Sequence, residues 1–440
     1  SLVVNTKRLY RIIVYSFLVA MGVRANAQVV VDNSLGNAGA LSGPNFKIPD
    51  TLGKTVGDNL FHSFSEFSLQ SGQSATFTGP DSIQNILGRV TGAKVSEIDG
   101  LIKSEITDSN LYLLNPNGFL FGKNASVDVD GAFTLSTREG LKLGQEGSFN
   151  AVNPDQSVFT SAAPDAFGFL GDNPGGAIKF SGSKLIVENP VNLIGDDIRL
   201  EDAVIYSKSG GKPTGVNIEG NNLAIVDSQI RNKSTVEVEG AKQGITIELK
   251  GNLEITDTTI TEEDGSGVDR GDFIDEIGSE VPFASRVGIL GITEGFEKPD
   301  PIATEAKELT IIGGGIYSVN QVPEEKISVL SSPSKIKLNA DSVEMEQGFL
   351  QGITKTDDVK YVEKTILQRS TSRVKLNNQP FAEMGSLDIY VDGERLFEGT
   401  DYELKFNSKG KLLPVSFSDT ITEGATVEFI QRPQSMSLPS

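Results

Sequence analysis

Apolar and polar residues alternate along most of the chain in short runs, with Gly, Asn, Asp and Ser between them. A period of two is the pattern of a strand that buries one face. No stretch sustains the i, i+3, i+4, i+7 spacing of an amphipathic helix. The pattern predicts an all-β chain with many turns.

The middle of the chain repeats itself. An apolar residue, a spacer and a second apolar residue are followed by a third apolar residue seven positions after the first. The copies are Ile198/Leu200/Ile205, Leu223/Ile225/Ile230, Leu253/Ile255/Ile260, Leu309/Ile311/Ile316 and Val343/Met345/Leu350. A matching strand lies just upstream in several of them, at Val191/Leu193, Val216/Ile218, Ile245/Ile247 and Ile336/Leu338. Neighbouring copies lie 25, 30, 56 and 34 residues apart. Periods of this size mark a solenoid, because one unit cannot bury its own inner face and stacked units bury a continuous core. The expected fold is a right-handed, single-stranded parallel β-helix of the pectin-lyase-like kind, with an N-terminal cap and a small C-terminal β module.

The 56-residue gap holds an insertion. Residues 261–285 are acidic and Gly-rich and read as a solvated loop. A calcium loop built on Asp264, Asp269 and Asp272 is the alternative, although their spacing matches neither the EF-hand loop nor the nonapeptide calcium repeat. Residues 286–360 read as further coils. Residues 361–440 lose the coil pattern: Leu387 to Val391 and Thr426 to Ile430 read as strands, and Asp392-Gly393 and Asn407 to Gly410 as turns. The last residues, from Arg432, read as a disordered tail.

Charge and composition narrow the chemistry. The chain carries 39 Lys+Arg against 59 Asp+Glu, a formal net charge of -20. Nucleic acid is excluded as a partner on that ground, since phosphate binding needs a basic face. There is no cysteine and one histidine, His62. That removes disulfides, thiolate chemistry and most imidazole-based catalytic or metal schemes, and no cofactor is expected. His62, between Phe61 and Phe64, reads as a structural histidine. An uncross-linked chain also suits export through an oxidising compartment. Residues 1–27 carry an address: Lys7, Arg8 and Arg11 precede an apolar run from Ile12 to Val23, and Ala25-Asn26-Ala27 fits a signal-peptide cleavage site, so the mature chain is expected to begin at Gln28.

One turn stands out. In Asn115-Pro116-Asn117-Gly118 the proline suits the second turn position, and Asn117 and Gly118 tolerate positive φ. The turn would reverse the chain between apolar strands at Leu111 to Leu114 and Phe119 to Phe121, with Asn side chains bonding backbone groups left unpaired. This tetrapeptide, with Asn85 to Val90, Ser96 to Leu101 and the Phe-rich run from Leu60 to Leu69 that includes Phe67, resembles the secretion domain of two-partner-secretion exoproteins of the filamentous-haemagglutinin type. Members usually carry an aliphatic residue where Phe119 stands. The resemblance covers roughly residues 28–260.

The resemblance implies a chain sent through Sec and the periplasm of a diderm bacterium. An outer-membrane TpsB-type transporter with periplasmic POTRA domains would then export it to the surface or the medium. It implies secretion-motif roles for Asn115, Pro116, Asn117, Gly118, Asn85 and Phe67, and no catalytic residue. The implied activity is that of a surface-associated adhesin or haemagglutinin-like protein with a host, cell-surface or carbohydrate receptor. Two alternatives stay open: a β-helix polysaccharide lyase or hydrolase using carboxylates such as Asp196/Asp197 or Glu262/Glu263, and a truncated contact-dependent toxin carrier.

Overall fold

The structure is a computed structural model and describes residues 28–167, 175–236, 243–258, 287–294, 302–322, 336–346, 349–356, 361–377, 384–408 and 411–433. Each strand of the central part pairs in parallel with the equivalent strand one coil further on, which makes the chain a parallel β-helix. One face runs through Asn59–Phe67, Asn85–Val90, Asn110–Leu114, Phe133–Ser136, Val191–Ile194, Gly215–Gly220 and Gly244–Leu249. It continues in the first halves of Ile302–Ile312 and Ile336–Glu346. A second face runs from Ser96–Ile98 through Phe119–Phe121, Ile178–Ser181, Asp197–Glu201, Asn222–Val226 and Asn252–Thr256 into the second halves of the same two strands. A third is made by one ladder from Asn45–Pro49 to Ser126–Asp128 and another from Lys184–Val187 to Phe349–Thr356.

The repeat read from the sequence is the hydrogen-bonding register itself. Ile198 pairs with Leu223, Leu223 with Leu253, Leu253 with Leu309, and Leu309 with Val343. Stacking at ~4.8 Å turns each such column into a continuous apolar wall. One core cluster accordingly extends from Val29 to Ile316. Each fully buried Leu or Ile contributes about 1.5–3 kcal/mol before chain entropy is subtracted.

Three features depart from the pattern. Val343 and Met345 keep the expected register but are 50% and 40% exposed. No further strand pairs with Ile336–Glu346 among the described residues, so nothing stacks on their column. The residue paired with Ile230 is Ile289, so the third face resumes inside the 56-residue gap; Ile260, expected there, lies outside the described residues. Residues 261–285, with Asp264, Asp269 and Asp272, lie outside the described residues, as do residues 1–27 and the tail from 434.

The third departure is an insertion between Phe133–Ser136 and Ile178–Ser181. Gly140–Leu143, Gly147–Asn150 and Pro164–Phe167 form a small antiparallel sheet. It packs Leu141, Leu143 and Phe149 on Phe61, Leu87 and Leu114, the outward residues of the first face. At the N-terminal end Val29–Val31 and Lys54–Val56 run antiparallel to Asn59–Phe67 and close that edge. Beyond Phe349–Thr356 the pairing turns antiparallel, through Tyr361–Ile366, Thr426–Pro433 and Met384–Val391. These strands belong with a separate core around Leu387, Ile389, Val427 and Phe429. Asp392 and Gly393, both at positive φ, form the two-residue hairpin turn to Glu394–Leu396.

Candidate functional site

The Asn115 to Gly118 segment is a corner between the first and second faces. Gly118 N donates to Asn115 O at 3.0 Å, which closes a β-turn with Pro116 in its second position. Only Gly118 takes a positive φ, 113°; Asn117 stays at negative φ and contributes through its side chain. Asn115 is fully buried. Its Nδ2 donates to Lys94 O at 3.0 Å and Ser96 Oγ at 2.9 Å, both in the coil before. Its Oδ1 accepts from Asn117 N at 3.0 Å and Asn117 Nδ2 at 3.1 Å. Asn117 Nδ2 also donates to Gly92 O at 2.7 Å. Asn115 thus spends its amide donors and its acceptor inside the protein.

The coil after clamps the corner from the other side. Gly176 N donates to Pro116 O at 2.7 Å, and Phe119 N to Ala177 O at 3.0 Å. A Cβ on Gly118 would stand 2.5 Å from Ala177 O, so glycine is needed for both conformation and space.

Asn85 belongs to a different device. It pairs in register with Asn59 and Asn110. Asn85 Nδ2 donates to Asn59 Oδ1 at 2.9 Å, and Asn110 Nδ2 to Asn85 Oδ1 at 3.1 Å. The ladder is capped by Asn59 Nδ2 on the carbonyls of Thr160 and Ala162 in the insertion, and by Ala132 N on Asn110 Oδ1. Phe67 is in neither group: it lies in the core with Phe64 and Phe77, at centroid distances of 5.2 and 6.3 Å. The structure therefore brings Asn115, Pro116, Asn117 and Gly118 together and separates Asn85 and Phe67 from them.

Arg89 lies outside the site residues that the sequence predicts. It is fully buried, on the outer side of the first face. Its Nε donates to Ser63 Oγ at 2.8 Å, Nη2 to Ser34 Oγ at 2.8 Å, and Nη1 to Asn150 O at 2.7 Å and Ser157 Oγ at 2.6 Å. The guanidinium lies 4.6 Å from the Phe149 ring centroid. One side chain thus ties the N-terminal cap, two coils and the insertion. Burial pulls its pKa down to about 10, with Asp32 and Asp155 opposing, so it stays charged. Burial works to raise the Asp32 carboxyl, but hydrogen bonds from Ser34, Thr91 and Ser63 outweigh it and hold the group below its ordinary value. The available signal was broken alternation: Leu60-Phe61, Ile86-Leu87 and Leu113-Leu114 are apolar on both faces, so something had to cover the outer side.

His62 is buried against Phe64 and Phe77, with no partner for Nε2 among the described residues. Desolvation pulls its pKa down to about 3, so it is a neutral packing residue. The pair Asp196/Asp197 stands at a coil corner, where Asn222 Nδ2 donates to Asp197 Oδ1 at 2.8 Å. Glu262 and Glu263 lie outside the described residues. Among the described residues no group of three His, Cys, Asp or Glu is placed to hold a metal, and no helix is long and apolar enough to cross a membrane.

The fold and the corner together define a capped, solenoidal β-helix protein with an Asn-Pro-Asn-Gly turn between two of its faces. Residues 27–273, more than half of the chain, match the family described as the TPS secretion domain, and the chain belongs to that family. It is a two-partner-secretion exoprotein of TpsA type. Membership implies export to the surface of a Gram-negative bacterium with a TpsB-type outer-membrane transporter as partner, and the family is one of secretion domains, not of enzymes. Comparison with individual curated proteins gives no match.

Proposed function

We propose that the chain is a surface-associated, adhesin-like exoprotein whose corner motif serves export by folding rather than by offering a contact surface. The complete burial of Asn115 carries this reading. With its amide consumed internally, Asn115 offers a transporter no free hydrogen-bonding group once the corner is folded. The POTRA domains would meet this region while it is extended, by pairing with its strands. Once outside, Asn115, Pro116, Asn117 and Gly118 close the coil on its neighbours, and the Asn85 ladder and Phe67 fix the coils beneath. In this division residues 1–27 act as signal peptide, 28–260 as the exported folding unit and 286–360 as the continuing stem. The module from 361 is a distal element.

Co-expression with and without a matching TpsB-type pore, scored in medium and on cells, tests the reading. Export should require the pore. Asn115→Ala should impair export and also lower the stability of the refolded chain by about 1–3 kcal/mol, because it orphans buried polar groups. Asn117→Ala, at an exposed position, should cost less on both scales. Lost export with unchanged stability would refute the folding role and favour direct contact. Pore-independent export would remove the two-partner reading of this chain.

A further inference from the structure

The outer side of the first face carries a groove of about 330 Å³. Its floor is one in-register row: Tyr112, Thr134, Asn192, Asn217 and Thr246. Asn192 Nδ2 donates to Thr134 Oγ1 at 3.0 Å and Asn217 Nδ2 to Asn192 Oδ1 at 2.9 Å, which orients the amides along the groove. One wall is Pro164, Asp165 and Phe167 from the insertion, with Phe167 stacked on Tyr112 at 6.5 Å. The other carries Ile194, Glu219 and Glu248. Glu219 and Glu248 are register partners, and Arg138 lies 4.0 Å from Glu219.

We propose that this groove binds an uncharged oligosaccharide. The inference deepens the adhesin reading, and rests on it for its biological meaning. A row of amides and hydroxyls at ~4.8 Å spacing offers alternating donors and acceptors to a linear chain of hydroxyl-bearing rings. The aromatic pair and Ile194 offer apolar surface to the C–H faces of those rings. The floor is a sheet face whose backbone groups are already paired between coils; the one strand edge at the groove, Pro164–Phe167, is four residues long and opens on a proline, a poor template for an extended peptide. Three wall carboxylates, on a chain of net charge -20, repel sialylated or sulfated glycans.

Saturation-transfer NMR and calorimetry on the secreted full chain would use tetra-N-acetylchitotetraose and cellotetraose as uncharged probes. Sialyllactose, a heparin tetrasaccharide and an uncharged octapeptide serve as comparators. An uncharged tetrasaccharide should bind, and Asn217→Leu should weaken it about tenfold in a chain that still unfolds cooperatively, through loss of its amide hydrogen bonds. Glu248→Gln should retain that binding and reduce discrimination against the charged glycans. Binding of neither neutral probe, preference for a charged glycan or the peptide, or binding unaffected by Asn217→Leu would overturn the proposal. Adherence of cells displaying the chain is scored separately. Adherence that persists in Asn217→Leu while no glycan binds leaves the adhesin reading standing and removes only the groove. Glycan binding by a chain that confers no adherence does the reverse.

Discussion

His62 is the only imidazole in the chain, so it gives a clean test at the scale of one residue. Its folded pKa of about 3 lies below the ordinary 6.5. The unfolded chain therefore binds a proton at pH values where the folded chain does not. Stability contributed by neutral His62 is fully present above pH 6.5 and is lost as pH falls toward 3. Between pH 7 and 5 the loss from this one group amounts to about 2 kcal/mol. Urea unfolding at the two pH values should show that difference in the native chain, and His62→Gln should reduce it. An unchanged difference in the variant would place the effect elsewhere. Asp32, held below its ordinary 3.8, loses its contribution at lower pH, outside this window. The sequence made the burial of His62 readable, because its neighbours Phe61 and Phe64 are apolar and no second ligand type accompanies it. It did not reveal how Asn117 acts. A negative φ with a bridging side chain and a positive φ at the same place share one tetrapeptide.

At the scale of elements, the antiparallel insertion is held by polar bonds as much as by its apolar underside. Arg89→Met should remove the bonds to Ser34, Ser63, Asn150 and Ser157 together. The expected cost is about 3–5 kcal/mol, the usual result of breaking a buried charged network from one side. Limited proteolysis should then cut between residues 138 and 167 before it cuts the coils; uniform resistance would contradict this role. The coils were legible because their period is short and repeated, and Leu223, Leu253 and Leu309 mark it directly. The insertion was not, because Gly140–Leu143 and Gly147–Asn150 alternate with the same period of two as any coil strand. Pairing partners, not periodicity, distinguish the two. The same limit applies at Ile260. A third apolar residue seven positions on fits the repeat locally, yet the residue that pairs with Ile230 is Ile289.

At the scale of the whole molecule, each core strand pairs only with the strands of neighbouring coils, so a defect in one rung should spread locally. Ile247 is fully buried and pairs with Ile218 on one side and Thr304 on the other. Ile247→Ala should cost about 2–5 kcal/mol. Amide exchange should quicken in Gly215–Gly220, Gly244–Leu249 and Ile302–Ile312, and leave Asn59–Phe67 protected. Uniform quickening would mean that the helix unfolds as one cooperative block. Exposure of Val343 and Met345 belongs to this scale too: their column is correct, but burial depends on a following layer, which no local pattern encodes.

A stack of near-identical apolar rungs invites mistakes of counting, because its core accepts a skipped coil almost as readily as the correct one. The outer side of the first face keeps the count. Ser63, Arg89 and Leu114 occupy the same position on three successive rungs and differ in kind. A chain that skipped one rung would seat Leu114 against Ser63 and strand Arg89 away from Asn150, with Asp32 left facing only hydroxyls. The wrong tally is penalised by charge, where greasy contacts alone would let it pass, and the arginine works as a proofreading mark cut into an otherwise uniform ruler.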